Sequence, residues 1–400
     1  MKVSSDGEIE WTKVINVATD PYDGVDAEYI STGISVNSAV LDDEENIYFS
    51  GNMRATMYVD AEVINPHNVE GWNGDSQKSV GNGYIIKLDH EGNYVNHVVT
   101  EGLMTSDNVR CMTINDNRLY LIMQVIGTGE ANVLSFAGSQ VNVPENTCLH
   151  LVGGCLDTDL NGLWLTIYPN TLNKTTTIQV PQLKVVEGCL WLAAEGQYGM
   201  TTIGEEVNTG TLTRDGFLFK FNKDTGESVS GMTIGKGWAG VFDVLPCDAE
   251  HVYAAYFIGL NAPAMLAKVS INDLAIDEEV QLCSSTATAQ NCIIHGNRLY
   301  VMLRLRSTKL GDNYNDVALG DYLIRSPQYN YAIGAFELPS NKLLEDVNND
   351  GIVNVADVNI VLNDIFEETN SAANDVNNDG QVNVADVNIV LNYILNQSSE

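Results

Sequence analysis

NSAVLDDEENIYFSG (Asn37 to Gly51) decides the fold. Apolar positions flank an acidic tight turn, and an aromatic residue, Tyr48, follows it. Turn chemistry between apolar runs predicts a β-hairpin. The arrangement returns as RCMTINDNRLYLIM (Arg110 to Met123), LKVVEGCLWLAA (Leu183 to Ala194), FDVLPCDAEHVYAAY (Phe242 to Tyr256) and QNCIIHGNRLYVML (Gln290 to Leu303). Each copy carries its own aromatic: Tyr120, Trp191, Tyr253 and Tyr300.

A second recurring element precedes the hairpin. It reads GYIIKLDHEGN (Gly83 to Asn93), GFLFKFNKDTG (Gly216 to Gly226) and AMLAKVSINDL (Ala264 to Leu274), with weaker copies at Asn146 to Leu156 and Asn330 to Ser340. Alternating apolar residues ending in a Gly, Asn or Asp turn predict a strand turning into another strand. Each unit then holds about four strands in roughly 50–70 residues, the content of a propeller blade. The chain opens on SSDGEIEWTKVI, which reads as the turn and second strand of a unit, and the last copy reads as a first strand without its partner. The expectation is a mostly β chain whose residues 1–340 form a β-propeller of five blades. The N- and C-terminal strands close one of these blades and so remove free edges. A sixth blade would require strands in the insertion between Gly51 and Gly81. These units resemble the SBBP-type propeller repeats of bacterial exported proteins, a resemblance carried by Gly83 to Gly92, Gly216 to Gly226 and Asn46 to Gly51.

Residues 341–400 read differently. Two loops, DVNNDGIVNVAD (Asp346 to Asp357) and DVNNDGQVNVAD (Asp375 to Asp386), lie 29 residues apart. Oxygen-bearing side chains fall at loop positions 1, 3, 5, 9 and 12, with glycine at 6. Calcium takes six to eight hard oxygen ligands, and Gly351 and Gly380 permit the sharp turn. A helix is expected after each loop from Asp357 and from Asp386, capped by Asn354 and Asn383. Val353 and Val382 can pair across the two loops.

This tail resembles a type I dockerin, the module that binds cohesin domains in bacterial extracellular assemblies. The resemblance implies two calcium ions. One would be held by Asp346, Asn348, Asp350, the carbonyl of Ile352, Asn354 through water, and Asp357. The other would be held by Asp375, Asn377, Asp379, the carbonyl of Gln381, Asn383 through water, and Asp386. It also implies a partner surface at Val355, Ala356, Leu362 and Asn363, repeated at Val384, Ala385, Leu391 and Asn392. Val-Ala stands where the family often has a hydroxyl pair, so the choice of partner does not carry over. The near-identical repeats imply docking in either of two orientations. Only Ser340 to Glu345 separates the loops from the last strand, so the tail's apolar face has two candidate partners, a cohesin-like domain or the propeller itself.

The net charge of −33, from 53 acidic and 20 basic residues, repels nucleic acid and anionic membrane, and both are set aside as partners. No apolar run is long enough to span a bilayer. The N-terminal residues carry no apolar signal core, so the expected extracellular or cell-surface location assumes a leader outside this chain. The seven cysteines have irregular spacing and read as packed apolar residues. The six histidines, His67, His90, His97, His150, His251 and His295, lack ligand spacing.

No catalytic set stands out. Asp42, Asp43, Glu44 and Glu45 read as a solvated turn, and Gly311 to Asp321 as an acidic insertion. Tyr22, Tyr29, Trp72 and Trp238 are candidates for stacking on carbohydrate. The favoured expectation is a non-catalytic, exported binding or scaffold protein attached through its calcium module. The alternative is a polysaccharide-degrading enzyme, glycoside hydrolase-like, carried by its dockerin. A second alternative is a surface structural protein whose tail caps the propeller.

Overall fold

The computed structural model describes residues 2–3, 6–17, 34–67, 81–102, 106–127, 132–145, 149–168, 178–197, 214–235, 239–258, 263–283, 287–295, 298–305, 309–310, 313–314, 317–319, 322–324, 330–338, 345–348, 353–367, 369, 371, 374–377 and 380–397. The chain divides into two compact units, residues 1–289 with 305–329, and residues 290–304 with 330–400.

Each hairpin expected from the sequence forms, and the first four each become the first half of a four-stranded antiparallel sheet. The first sheet holds, in order, Ile34–Leu41, Ile47–Met53, Asn82–Leu88 and Tyr94–Val99. The second holds Ser106–Asn115, Arg118–Ile126, Leu149–Asp157 and Gly162–Tyr168. The third holds Ile178–Val186, Cys189–Gln197, Arg214–Asn222 and Ser228–Ile234. The fourth holds Ala239–Asp248, His251–Ile258, Ala264–Ser270 and Ile276–Gln281.

The turns obey local chemistry. Asp116 and Asn117 both take left-handed φ, 51° and 56°, as do Glu187 and Gly188, at 48° and 67°. Two such residues in sequence match the twist of the strands they join. In the first sheet the Asp42 carboxylate closes the turn instead, accepting from the backbone N–H of Glu44 and Asn46 and from the Asn46 side chain. Asp89 and Asp157 repeat this with Asn93 and Asn161. Asp42 to Glu45 are thus the turn that their sequence predicts.

Consecutive sheets stack on one another. Apolar residues of the first and second sheets share a core that includes Tyr48, Ile85, Leu121 and Val152. Tyr120, Leu151, Leu192 and Phe219 join the second to the third, and Trp191, Leu218, Val241 and Ala254 join the third to the fourth. Burial on both faces explains why the third strand of the first sheet, Asn82–Leu88, is buried along its whole length. The first strands adjoin one another. Asn37 donates to Asn108 Oδ1 at 2.5 Å, and Lys184 pairs with Asp243 at 2.6 Å. All four first strands carry a register shift at the same point, near Asn37, Arg110, Pro181 and Phe242. Bulges of this kind bend a strand and re-aim its side chains.

Side chains also key each sheet into the next. The hairpin aromatics Tyr48, Trp191 and Tyr253 lie opposite Lys87, Lys220 and Lys268 on the third strands, while Tyr120 faces Cys155. Lys87 lies over the Tyr48 ring, 5.4 Å from its centroid, and donates to Thr158 O in the third-to-fourth-strand turn of the second sheet. Lys220 lies over Trp191 and donates to Ile271 O in the corresponding turn of the fourth sheet. Between the second and third sheets Trp164 Nε1 donates to Lys223 O, and its ring lies against Gly226. Trp11, on the N-terminal strand Ile9–Trp11, repeats this on the first sheet: Nε1 donates to His90 O, and the ring lies against Gly92. The N-terminal strand thus stands to the first sheet as the fourth strand of the second sheet stands to the third.

The second unit contains a three-stranded sheet in the order Ala287–His295, Arg298–Leu305, Asn330–Glu337; the outermost residues of the first two strands belong to the first unit. Its third strand leaves Tyr331 and Ile333 64% and 76% exposed, where the same strand in the first sheet is buried. The insertion after Met53 forms the hairpin Met57–Val59 and Glu62–Ile64, which makes a three-stranded sheet with Asn16–Val17 among the described residues. Among the described residues no helix is long and apolar enough to cross a membrane.

Candidate functional site

The chain's last described elements are helices α1 (Val355–Glu367) and α2 (Val384–Gln397). Both begin two residues before the Asp357 and Asp386 starts expected from sequence, which places Val355-Ala356 and Val384-Ala385 in the first helical turn. The cause is the cap. Asn354 Oδ1 accepts from Ala356 N at 2.8 Å, and Asp357 Oδ2 accepts from Asn354 N at 2.9 Å. Asn383, Ala385 and Asp386 repeat both bonds at 2.8 Å. This reciprocal box satisfies donors that a helix N-terminus otherwise leaves open.

The same carboxylates bind the loops. Asp357 Oδ1 accepts from Asn348 N and Asp386 Oδ1 from Asn377 N, each at 3.1 Å. Both carboxylates are fully buried, and each ties loop position 3 to position 12. In the second loop Gly380, with φ of 89°, donates its N–H to Asp375 Oδ2 at 2.7 Å. A side chain other than glycine is strained there. Asp346, Asn348, Asn354, Asp357, Asp375, Asn377, Gln381, Asn383 and Asp386 are placed; Asp350, Gly351, Ile352 and Asp379 lie outside the described residues. The two halves share a valine core of Val347, Val353, Val358 and Val361 with Val376, Val387 and Val390, and Val382 packs against it.

Of the expected partner surface, Val355 and Val384 are each 62% exposed, and Ala356, Asn363, Ala385, Leu391 and Asn392 are exposed as well. Leu362 is half-buried against the valine core. Tyr22, Tyr29, Trp72 and Trp238 lie outside the described residues.

The first unit contains a second feature, which the sequence motifs do not announce. The longest connections in the first three sheets run from the second strand to the third. Beneath this end of the sheets lies a buried polar layer. Counting four residues on from Tyr48, Tyr120 and Trp191 reaches Asn52, Gln124 and Glu195, at one register position of three second strands. Asn82, His150 and Asp215 share a position on the third strands, and all three are fully buried. Between the first two sheets the bonds form a network. Thr100 Oγ1 donates to Asp107 Oδ2 at 2.9 Å and accepts from Gly83 N at 3.0 Å. Asn52 Nδ2 donates to Asp107 O at 2.5 Å, and Asn82 Oδ1 accepts from His67 N at 3.0 Å. Buried polar groups linked in this way hold the strand ends in place. Burial pushes the His150 imidazole down, towards the neutral form. No glycine, histidine or acid motif marks these positions. The signal was the spacing of four from each hairpin aromatic.

Comparison with known proteins settles the tail. The family model for the dockerin type I domain matches residues 344–398. Those residues are a type I dockerin. A dockerin attaches its chain to a cohesin, and type I dockerin domains bind calcium. No curated protein matches the chain. Solved structures similar to it include an ulvan lyase of polysaccharide lyase family PL25, at 10% identity over 80% of this chain and 69% of that one, with a TM-score of 0.37. The GH43 endo-arabinanase of Bacillus licheniformis is also 10% identical over 74% of this chain and 92% of that one, with a TM-score of 0.30. BamB from Moraxella catarrhalis is 13% identical over 67% and 94%, with a TM-score of 0.20. The expectation of a chain without catalytic activity is corrected by the dockerin match, which favours an enzyme carried by that module.

Proposed function

We propose that the chain is an exported polysaccharide-cleaving enzyme, delivered to an extracellular assembly by its dockerin. The observation that carries the reading is the dockerin itself, joined to a large β domain. A dockerin is an address, so the chemistry belongs to what precedes it. In that domain the second strands end, before their long connections to the third, beside a buried polar layer, which suits a substrate mouth built from loops on a fixed scaffold. Residues 1–340 are read as a five-bladed propeller whose end strands share one blade. The place of Trp11 beside the first sheet and the open third strand Asn330–Glu337 both support this.

The dockerin is proposed to hold two calcium ions, through Asp346, Asn348, Asp350, Ile352 O, Asn354 and Asp357, and through Asp375, Asn377, Asp379, Gln381 O, Asn383 and Asp386. The donor chemistry fits, being oxygen throughout, with a buried carboxylate closing each loop. Val355, Ala356, Leu362 and Asn363, with Val384, Ala385, Leu391 and Asn392, are proposed to meet the cohesin.

The test is to incubate the full chain with soluble arabinan, xylan, polygalacturonate and a sulfated uronate polymer. Release of reducing ends alone indicates hydrolysis, and release together with absorbance near 235 nm indicates β-elimination of a uronate. A chain that binds a calcium-dependent cohesin but cleaves none of these polymers sinks the enzyme reading and leaves the attachment reading standing.

A further inference from the structure

The two dockerin repeats are nearly identical, yet one buried residue differs in kind. Asp364 in α1 corresponds to Tyr393 in α2. Asp364 is buried in the last turn of its helix, which holds no basic residue. A carboxylate there faces the negative end of the helix dipole. Hydrogen bonds offset that penalty. Asp364 Oδ2 accepts from Ser371 N at 2.9 Å and from Asn374 Nδ2 at 2.6 Å, while Oδ1 accepts the Thr369 hydroxyl. The Asp364 carbonyl also accepts from Thr369 N at 3.3 Å, and Asn374 N donates to Ser371 O at 2.8 Å.

All these partners belong to the segment between the repeats, and it ends at Asn374. The next residue is Asp375, position 1 of the second calcium loop, whose carboxylate already accepts from Gly380 N. The chain from α1 to the second loop is thus pinned at three points by one side chain. Among the described residues no helix of the dockerin precedes Glu345 and the first loop, and the aromatic Tyr393 cannot accept the same set of bonds. Groups that orient metal ligands without touching the metal commonly change affinity by about 10–100-fold when removed.

We propose that Asp364 is a positioning residue for the second calcium loop, so the two calcium sites are unequal despite their matching ligands. The inference rests on the calcium reading above. Its test is calcium titration of the full chain by calorimetry, with Asp346→Ala used to isolate the second site and Asp375→Ala to isolate the first. Asp364→Ala should weaken the second site by about 10–100-fold and leave the first within about twofold. Asn374→Ala should weaken the same site, and the double variant should lose less than the two single losses combined, because both remove one bond. Asp364→Asn, which keeps an acceptor oxygen, should recover part of the loss. Equal weakening of both sites would indicate general loss of structure and overturn the proposal, as would an unchanged second site or fully additive losses. Absence of calcium binding by the unaltered chain would overturn the calcium reading itself.

Discussion

Replacing Gly226 with alanine isolates how one sheet is keyed into the next. Gly226 has φ of 72°, and a Cβ added there would lie 2.4–2.8 Å from three atoms of the Trp164 ring. Gly188 is the internal control, with φ of 67° and nothing within 4 Å of its added Cβ. Left-handed backbone costs an L-residue about 1–2 kcal/mol, and both substitutions incur it. Only Gly226→Ala also overpacks, which adds about 1–3 kcal/mol. Trp164 has little freedom to retreat, because its Nε1 is held by Lys223 O and its neighbour Tyr168 donates to Gly226 O at 2.5 Å. The expected loss is therefore about 2–5 kcal/mol for Gly226→Ala against about 1–2 kcal/mol for Gly188→Ala. Urea unfolding of the full chain, followed by tryptophan fluorescence, measures the difference. Gly92→Ala, with the Trp11 ring 3.0 Å from the added Cβ, should fall between the two. Equal losses at Gly188 and Gly226 would mean that Trp164 does not rest on the turn, and the keying argument would fail.

Lys220→Met keeps the apolar stem over Trp191 but leaves Ile271 O without its donor, and should destabilise by about 1–3 kcal/mol in the same urea assay. Acid should weaken the β domain through its turns. Burial raises the pKa of Asp42, Asp89 and Asp157, but hydrogen bonds from Asn46, Asn93 and Asn161 outweigh it and hold all three below the ordinary carboxylate range. A depressed folded pKa favours the native state above the unfolded value of about 3.9, so this contribution is intact at neutral pH and is lost as pH falls below about 4. Asp157→Asn should flatten that part of the stability–pH curve. Chelating calcium should remove helical circular dichroism from α1 and α2 while the tryptophan fluorescence of the β domain is unchanged. Helix signal that survives chelation would contradict metal-coupled folding of the dockerin.

The hairpins were legible because each level of the sequence agrees on them: alternation, turn residues and a following aromatic all point one way. The dockerin was legible because oxygen-bearing side chains at that fixed spacing, set around a glycine and repeated twice, suit a hard cation and little else. The caps at Asn354 and Asn383 were legible, and the helices start directly after them, two residues before the loop carboxylates Asp357 and Asp386 from which the sequence reading began them. The polar layer was not legible. Asn52, Gln124 and Glu195 share no chemistry beyond polarity, and their common spacing of four from the hairpin aromatics gains meaning only once strand register puts them at one level. Asp364 was visible as a mismatch between repeats, but its meaning depends on Ser371 and Asn374 folding back to it, and periodicity carries no such information.

The side-chain keys and the long connections lie at opposite ends of the sheets. Lys87, Trp164 and Lys220 grip the short turns, whereas the insertions after Met53, Ile126 and Gln197 leave from the other end. Evolution can therefore rewrite one end freely. A lengthened or exchanged connection alters that end without loosening the grip of sheet on sheet. In the proposed enzyme, specificity would change by loop replacement alone, and an engineer would graft there and leave the short turns intact.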